Sequence, residues 1–213
     1  MAYLARMLEL PITLRVPRAD EMPDRPDIDE LLERRREANI QPGYTLQPNH
    51  TPQLPYTFTA AINVNNAQLW DLFLALAALF PAKASAVYNE ASEESLTTNL
   101  HPTDYILKHY ARYKTELVQD CTLEFGLLSN TREALTELNV SACKYVKFWG
   151  NDLPAFTAVM KTFGLQLCRH LDFADEFPKI IVPLRRLVPG TTPPVQVVEH
   201  FDRAFNVERG DFY

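Results

Sequence analysis

The same order of local structure occurs twice in this chain, and it constrains the fold more than any single element does. Residues 58–88 predict a strand, an asparagine-containing cap, a helix and a second strand, and residues 142–171 predict the same order with an Asn-Asp cap. We therefore predict an α+β fold in which helices pack on one face of a mixed β-sheet. The order favours duplicated, split β-α-β units of the ferredoxin-like type, although the halves share too few identical residues to establish a duplication.

The helix of the first unit is the clearest single element. Residues 67–80 are apolar nearly all round, with only Gln68 and Asp71 polar, so this helix should be buried on more than one side. A second helix is predicted over residues 103–119, and residues 89–99 have the composition of an exposed acidic loop. Further strands are expected at residues 122–128, 141–149, 165–171 and 179–184, and further helices at residues 152–163 and 195–205.

Proline content divides the chain unevenly. Eight of the 16 prolines lie within the first 55 residues, where each one removes a backbone donor and restricts the residue before it. We interpret residues 1–55 as a Pro-rich N-terminal arm with one polar helix at residues 28–38, and residues 56–213 as a single α+β domain. The arm either wraps on the main domain or serves as a contact segment, and the alternative is a loosely packed extension without a task.

Charge and cysteine content limit the class of partner and the compartment. The chain has 21 Lys+Arg and 27 Asp+Glu, a net charge of −6, which argues against nucleic-acid binding and favours a basic protein partner. The first ten residues lack the pattern of a signal peptide, and no apolar stretch is long enough to span a membrane. With three widely spaced cysteines, the sequence predicts a cytoplasmic protein with reduced thiols.

Motifs for catalysis or cofactor binding do not occur in the sequence. The six glycines are scattered singly, which excludes a phosphate-binding loop and a nucleophile elbow, so we predict no cofactor, no metal and no enzyme. Two weaker arrangements are noted: a cluster at the start of the second helix and a pair on one face of a strand. They are His101, Asp104 and His109, and Cys168 and His170. These keep open a small-ligand-binding protein or enzyme with a pocket between the sheet and the second helix.

Two groups of carboxylates are the candidate partner-binding residues. The first group lies in the predicted acidic loop, and the second alternates with aromatic residues after residue 171. The groups are Glu90, Glu93 and Glu94, and Asp172, Phe173, Asp175, Glu176 and Phe177. Such a loop suits a protein partner, because aromatic side chains supply buried area and charges steer association. A solvated loop, an acid–base pair or a divalent-ion site are the alternatives.

The segment Lys144–Trp149 and the Asn-Asp-capped helix after it carry a resemblance to a known class of proteins. In this acidic α+β layout, the last two-thirds of the chain resembles the immunity proteins of bacterial polymorphic toxin systems. The resemblance implies a bacterial protein-binding inhibitor that neutralises a cognate toxin by occluding its active site. It leaves the oligomeric state open, and an assembly protein that exchanges its arm between subunits is a third hypothesis.

Overall fold

The computed structural model of the protein describes residues 7–22, 27–91 and 96–208. Its strands are β1 (Leu14–Arg15), β2 (Gly43–Pro48), β3 (Phe58–Asn63), β4 (Lys83–Glu90), β5 (Leu96–Pro102), β6 (Leu123–Asn130), β7 (Leu135–Val140), β8 (Val146–Gly150) and β9 (Ile180–Ile181). Its α-helices are α1 (Ile28–Glu37), α2 (Asn66–Ala77), α3 (Thr103–Arg112), α4 (Lys114–Gln119), α5 (Leu153–Thr162), α6 (Leu184–Leu187) and α7 (Pro194–Phe205). Among the described residues, no helix has the length and apolar content needed to cross a membrane.

Seven strands form one sheet in the order β2-β3-β8-β7-β6-β4-β5, and every neighbouring pair is antiparallel. The strands β3 and β4 are joined through α2, yet the meander β6-β7-β8 lies between them in the sheet. The first β-α-β unit is therefore split by antiparallel strands. The short strands β1 and β9 pair separately.

The helices that contact the sheet lie on one of its faces. Alternate residues along the strands, such as Phe125 and Leu127 of β6, enter the same hydrophobic core as the inner sides of α2, α3, α4, α5 and α7. Of these, α2 contacts α4, α5 and β7, and Leu72 and Leu76 in it are fully buried. The α+β class with helices on one face and the burial of the first long helix are both confirmed.

The second β-α-β unit ends differently from its prediction. Residues 165–171 do not form a strand, and only Leu167 makes an isolated parallel bridge, to Tyr44 of β2. Arg169 and His170 beyond it are exposed. Farther along, the Asp172 carboxylate accepts a 2.6 Å hydrogen bond from the backbone N–H of Asn39, which holds this segment beside the residues that lead into β2.

The predicted helix over residues 103–119 is broken at Tyr113. The backbone leaves the helical region at this residue, whose φ is −116°, and α4 begins directly after it. The Tyr113 ring is buried edge-on against Phe201 of α7, 5.6 Å between ring centroids. Because both helices face the core, the apolar spacing of one continuous helix is retained across the break.

Residues assigned to the N-terminal arm supply part of the sheet. The strand β2 is an edge strand paired along its length with β3, so a boundary at residue 55 falls between two paired strands. Upstream, β1 pairs with β9, and α1 lies within the predicted polar helix.

The caps of α5 agree with their sequence signals. The Asp152 carboxylate accepts a 2.9 Å hydrogen bond from the backbone N–H of Ala155. At the other end Gly164 has a φ of +67°, and the N–H groups of Gly164 and Leu165 bond back to the carbonyls of Lys161 and Met160. Those two bonds form a Schellman motif, which favours glycine at this position.

Candidate functional site

The face of the sheet opposite the helices is the candidate site. Side chains on this face alternate with the core residues of the same strands, and many of them are half-buried. We call this surface the open sheet face and define it by Thr59, Ala61, Leu128, Glu137, Asn139, Lys147 and Trp149. A sheet face with half-exposed side chains is a surface that another macromolecule can cover.

Trp149 and Glu137 lie at the centre of the open sheet face. They are directly opposite each other on β8 and β7, and Thr59 and Leu128 continue the same row on β3 and β6. Burial raises the pKa of the Glu137 carboxyl above its ordinary value, and the charge of Lys147 offsets only part of that effect. A large aromatic ring therefore sits beside a partly desolvated carboxylate.

A groove of about 550 Å³ borders the open sheet face on the side of β2 and β3. One wall is formed by strand residues that include Thr45 and Ala61, and the other by the segment 167–173. Leu167 in that segment is 60% exposed, so an apolar side chain is available at the rim.

Phe173 connects this groove to the sheet through Tyr145. The two rings lie 4.5 Å apart between centroids, and the Lys147 ammonium lies 5.3 Å from the Tyr145 ring. In β8, which follows Tyr145, Val146 and Phe148 enter the core, whereas Lys147 and Trp149 belong to the open sheet face. The sequence Lys144–Trp149 thus contributes to both faces by strand alternation.

Lys144 precedes this strand in an unusual backbone conformation. The backbone φ of Lys144 is 64°. Its side chain is buried, and the ammonium donates a 2.6 Å hydrogen bond to the carbonyl of Leu123. Burial lowers the pKa of Lys144 to about 8. The turn between β7 and β8, which sets the position of Trp149, is held by this contact.

The predicted acidic-aromatic loop forms a short 3-10 turn, and we call Asp172–Phe177 the acidic turn. Asp175 and Glu176 are exposed, and the Glu176 carboxylate also accepts a 3.1 Å bond from the N–H of Phe173. Asp172 is largely enclosed and bonded to Asn39 and His170. Phe177 is buried beneath the Arg35 guanidinium, so it supports the turn from inside.

Only one residue of the other predicted carboxylate group, Glu90, is among the described residues. Glu93 and Glu94 fall outside the described residues. Glu90 is half-buried at the end of β4, which extends two residues into the predicted acidic loop, and it borders a cavity of about 280 Å³ with Asp120 and Thr122. Glu90 therefore borders a cavity whose lining includes no residue of the acidic turn.

The histidines noted in the sequence do not meet as proposed. His109 forms a 3.0 Å contact between its Nδ1 and Nε2 of His200 on α7. His101 stacks on Tyr105, and Asp104 accepts a bond from the N–H of Tyr105. Within the described parts of the chain, no three His, Cys, Asp or Glu side chains are placed to hold a metal ion.

Cys168 and His170 are also not joined by a hydrogen bond. The Cys168 thiol bonds the carbonyl of Gln166 at 3.6 Å, and the His170 Nε2 lies 2.9 Å from the Asp172 carboxylate. His170 therefore has an orienting partner that sequence reasoning did not find, while the thiol that it would activate is engaged with a backbone carbonyl.

The space between the sheet and α3 is filled by protein. Ile106 and Tyr110 on the inner side of α3 are fully buried. The Tyr110 hydroxyl lies 2.9 Å from the carbonyl of Val87 and 3.0 Å from that of Gly126. Burial raises the pKa of Tyr110, so the phenol stays neutral and holds the helix to β4 and β6.

Comparison with known proteins gives no match. No family model, curated protein or solved structure matches the chain. The geometry of the open sheet face and the acidic turn is therefore the basis for a functional proposal.

Two central residues of the site, Trp149 and Glu137, were not among the candidates from the sequence. The period-two pattern of Val146, Phe148 and their neighbours could have placed Trp149 on the face away from the core. Glu137 could not be placed opposite it, because β7 was not recognised as a strand.

Proposed function

We propose that this protein is a protein-binding inhibitor of the immunity type, which neutralises a basic toxin by covering its active site. The observation that carries the proposal is the open sheet face, half-exposed around Trp149 and linked through Tyr145 and Phe173 to the acidic turn. Aromatic residues in such positions are typical anchors of protein interfaces.

The proposed interface combines the open sheet face with the acidic turn because of the area that this function needs. A stable inhibitory complex buries about 800 Å² on each partner, which exceeds what a single turn can supply. The open sheet face supplies a broad platform for contact, and the exposed carboxylates of Asp175 and Glu176 supply charge that attracts a basic surface.

Charge reversal of the acidic turn tests the proposal. The partner to test is the protein encoded next to this one, expressed alone and together with it. The double variant Asp175→Lys/Glu176→Lys should associate more slowly and protect less well, with the free energy of unfolding nearly unchanged, because exposed charges contribute little to stability. Added salt should weaken binding of the unmodified protein, since charges are screened over about 8 Å at physiological ionic strength.

A matched control changes the same number of charges on the helical side of the molecule. Asp104→Lys/Glu199→Lys replaces two exposed carboxylates on α3 and α7 and should leave association within about twofold of the unmodified protein. Equal rates for both double variants would remove the acidic turn from the interface. No binding or protection by the unmodified protein would contradict the proposed function with this partner.

A further inference from the structure

Among the described residues, no cation forms an ion pair with the Glu137 carboxylate, although the charge of Lys147 acts on it from farther away. Within residues 7–22, 27–91 and 96–208, no hydrogen bond or ion pair joins its carboxylate to another side chain. Lys147 is the nearby cation, but its ammonium lies over the Tyr145 ring at 5.3 Å. A cation brought within a few ångströms of a partly buried carboxylate favours its charged form.

The neighbours of Glu137 select the kind of cation. Trp149 lies directly opposite on β8, and side chains opposed across two antiparallel strands have Cβ atoms about 4.5–5.5 Å apart. Leu128 lies opposite on the other side, on β6. A carboxylate flanked by an indole ring and an apolar side chain suits a planar guanidinium, which stacks on aromatic faces and bonds a carboxylate through two N–H groups.

We propose that Trp149 and Glu137 form a subsite for the guanidinium of an arginine side chain on a protein partner. The inference deepens the proposed function and rests on it for the identity of the partner as a protein. It places the central anchor of the interface on the open sheet face, while the acidic turn steers the approach of the basic surface.

The subsite can be tested without the partner. The probe is N-acetyl-arginine N-methylamide, and the matched control ligand is the citrulline analogue, which has nearly the same shape and no charge. Binding is followed by NMR shifts of the Trp149 indole N–H, assigned with Trp149→Phe, and of the Glu137 carboxyl carbon. We expect saturable shifts with the arginine probe, a lower pKa of Glu137 in its presence, and affinity for citrulline weaker by about tenfold or more.

Variants separate the carboxylate from a general surface effect. Glu137→Gln keeps the shape of the side chain and should weaken arginine binding about tenfold or more, whereas Glu133→Gln in the preceding turn should not change it. A urea unfolding curve shows whether each variant is folded, and if Glu137→Gln is not, Glu137→Asp and the citrulline comparison still decide the question. Equal binding of the two ligands, unchanged binding by the folded Glu137 variant, or absence of binding up to about 50 mM probe would overturn the proposal.

Failure of this subsite and failure of the proposed function give different results. If the neighbouring protein binds and Glu137→Gln binds it equally well, the subsite is wrong and the inhibitor function stands. If the arginine probe binds at Trp149 and Glu137 but the neighbouring protein does not bind, the subsite stands and the proposed function with that partner is wrong.

Discussion

Two leucines of the helix α2 differ sharply in their exposure to solvent. Leu76 of α2 is fully buried, whereas Leu74, two residues earlier, is 37% exposed. The difference matters because a buried leucine loses its packing partners on truncation and leaves a cavity behind. The pair therefore offers a matched comparison in one secondary-structure element.

Leu76→Ala should lower the free energy of unfolding by about 2–5 kcal/mol, the usual range for a packed core leucine. Leu74→Ala should lower it by less than about 1 kcal/mol, because part of that side chain already contacts water. Urea unfolding followed by circular dichroism measures both values. Similar small losses for the two variants would show that α2 is not the central helix of the core.

The three cysteines differ in burial although all are free thiols. Burial raises the pKa of Cys143 to about 11 and also raises the pKa of Cys121, and both side chains are shielded from solvent. Cys168 is half-buried. Since the thiolate is the reactive form, Cys168 should react far faster than the other two.

A thiol reagent at neutral pH should therefore titrate one group in the native protein and three in denaturant without reductant. Mass spectrometry of the native reaction should locate the label on Cys168. Rapid labelling of Cys121 or Cys143 in the native state would mean that the small hydrophobic cluster that contains both thiols is open to solvent. Fewer than three reactive groups in denaturant would indicate a disulfide.

At the scale of elements, the contact between α3 and α7 depends on protonation. The pKa values of His109 and His200 are lowered from 6.5, first by burial and then by nearby cations, which include Arg112 for both. The charge of Lys108 also lowers the pKa of His109, and the charge of Arg203 lowers that of His200. A contact between the two ring nitrogens requires that at least one imidazole is neutral.

The sign of the pH effect follows from these shifts. In the unfolded chain both histidines take up protons near their ordinary pKa, about 6.5, while in the folded protein they do so at lower pH. The unfolded state therefore binds more protons in this window, and stability falls as the pH drops below about 6.5 until the folded pKa values are passed.

The free energy of unfolding should accordingly be lower near pH 5 than near pH 7.5 by an amount that depends on this pair. His109→Gln/His200→Gln should reduce the difference, and His50→Gln should not, because His50 is exposed in the segment after β2. Denaturation curves at the two pH values measure the effect. An equal pH dependence in the double variant would assign it to other groups.

Sequence patterns predicted elements well where apolar residues recur at helical spacing. The helices α2, α5 and α7 have this pattern, and α5 also has a side-chain cap at Asp152. The strand β7 lacks such a pattern, since Glu137 and Asn139 on the open sheet face and Thr136 on the other face make its sequence resemble a polar link. The polar residues of β7 kept it from being predicted as a strand, and so Glu137 was not predicted as part of the site. Its position opposite Trp149 follows from the pairing of β7 with β8, which the sequence pattern does not show.

At the scale of the whole molecule, residues 43–48 of the predicted arm belong to the sheet as β2. Tyr44 of β2 is buried and packs edge-on against Phe156 of α5, 5.6 Å between ring centroids. Farther upstream, the Thr13 hydroxyl donates to the Gln119 carbonyl, and Leu14 packs in a small cluster with Cys121 and Cys143. Removing this region would expose the edge of β3 that pairs with β2, the Phe156 ring and the cluster around Cys121 and Cys143.

A chain beginning at residue 56 should therefore lose cooperative unfolding, because β3 becomes an uncovered edge. A chain beginning at residue 40 keeps β2 and should unfold cooperatively, with lower stability than the full chain because β1 and its contacts are missing. Calorimetry compares the three proteins. An unchanged transition for the chain from residue 56 would show that residues 1–55 are a separate arm.

The insertion of β6, β7 and β8 between β3 and β4 also has a consequence during synthesis. When translation has reached the end of β5, the strands β3 and β4 exist, but the positions between them are still empty. The sheet closes only after Gly150 at the end of β8 has left the ribosome, and the contacts that close it link segments far apart in sequence. The nascent chain therefore carries two unpaired strand borders until β6, β7 and β8 have emerged, so we expect its yield in the cell to fall when chaperones that shield them are depleted.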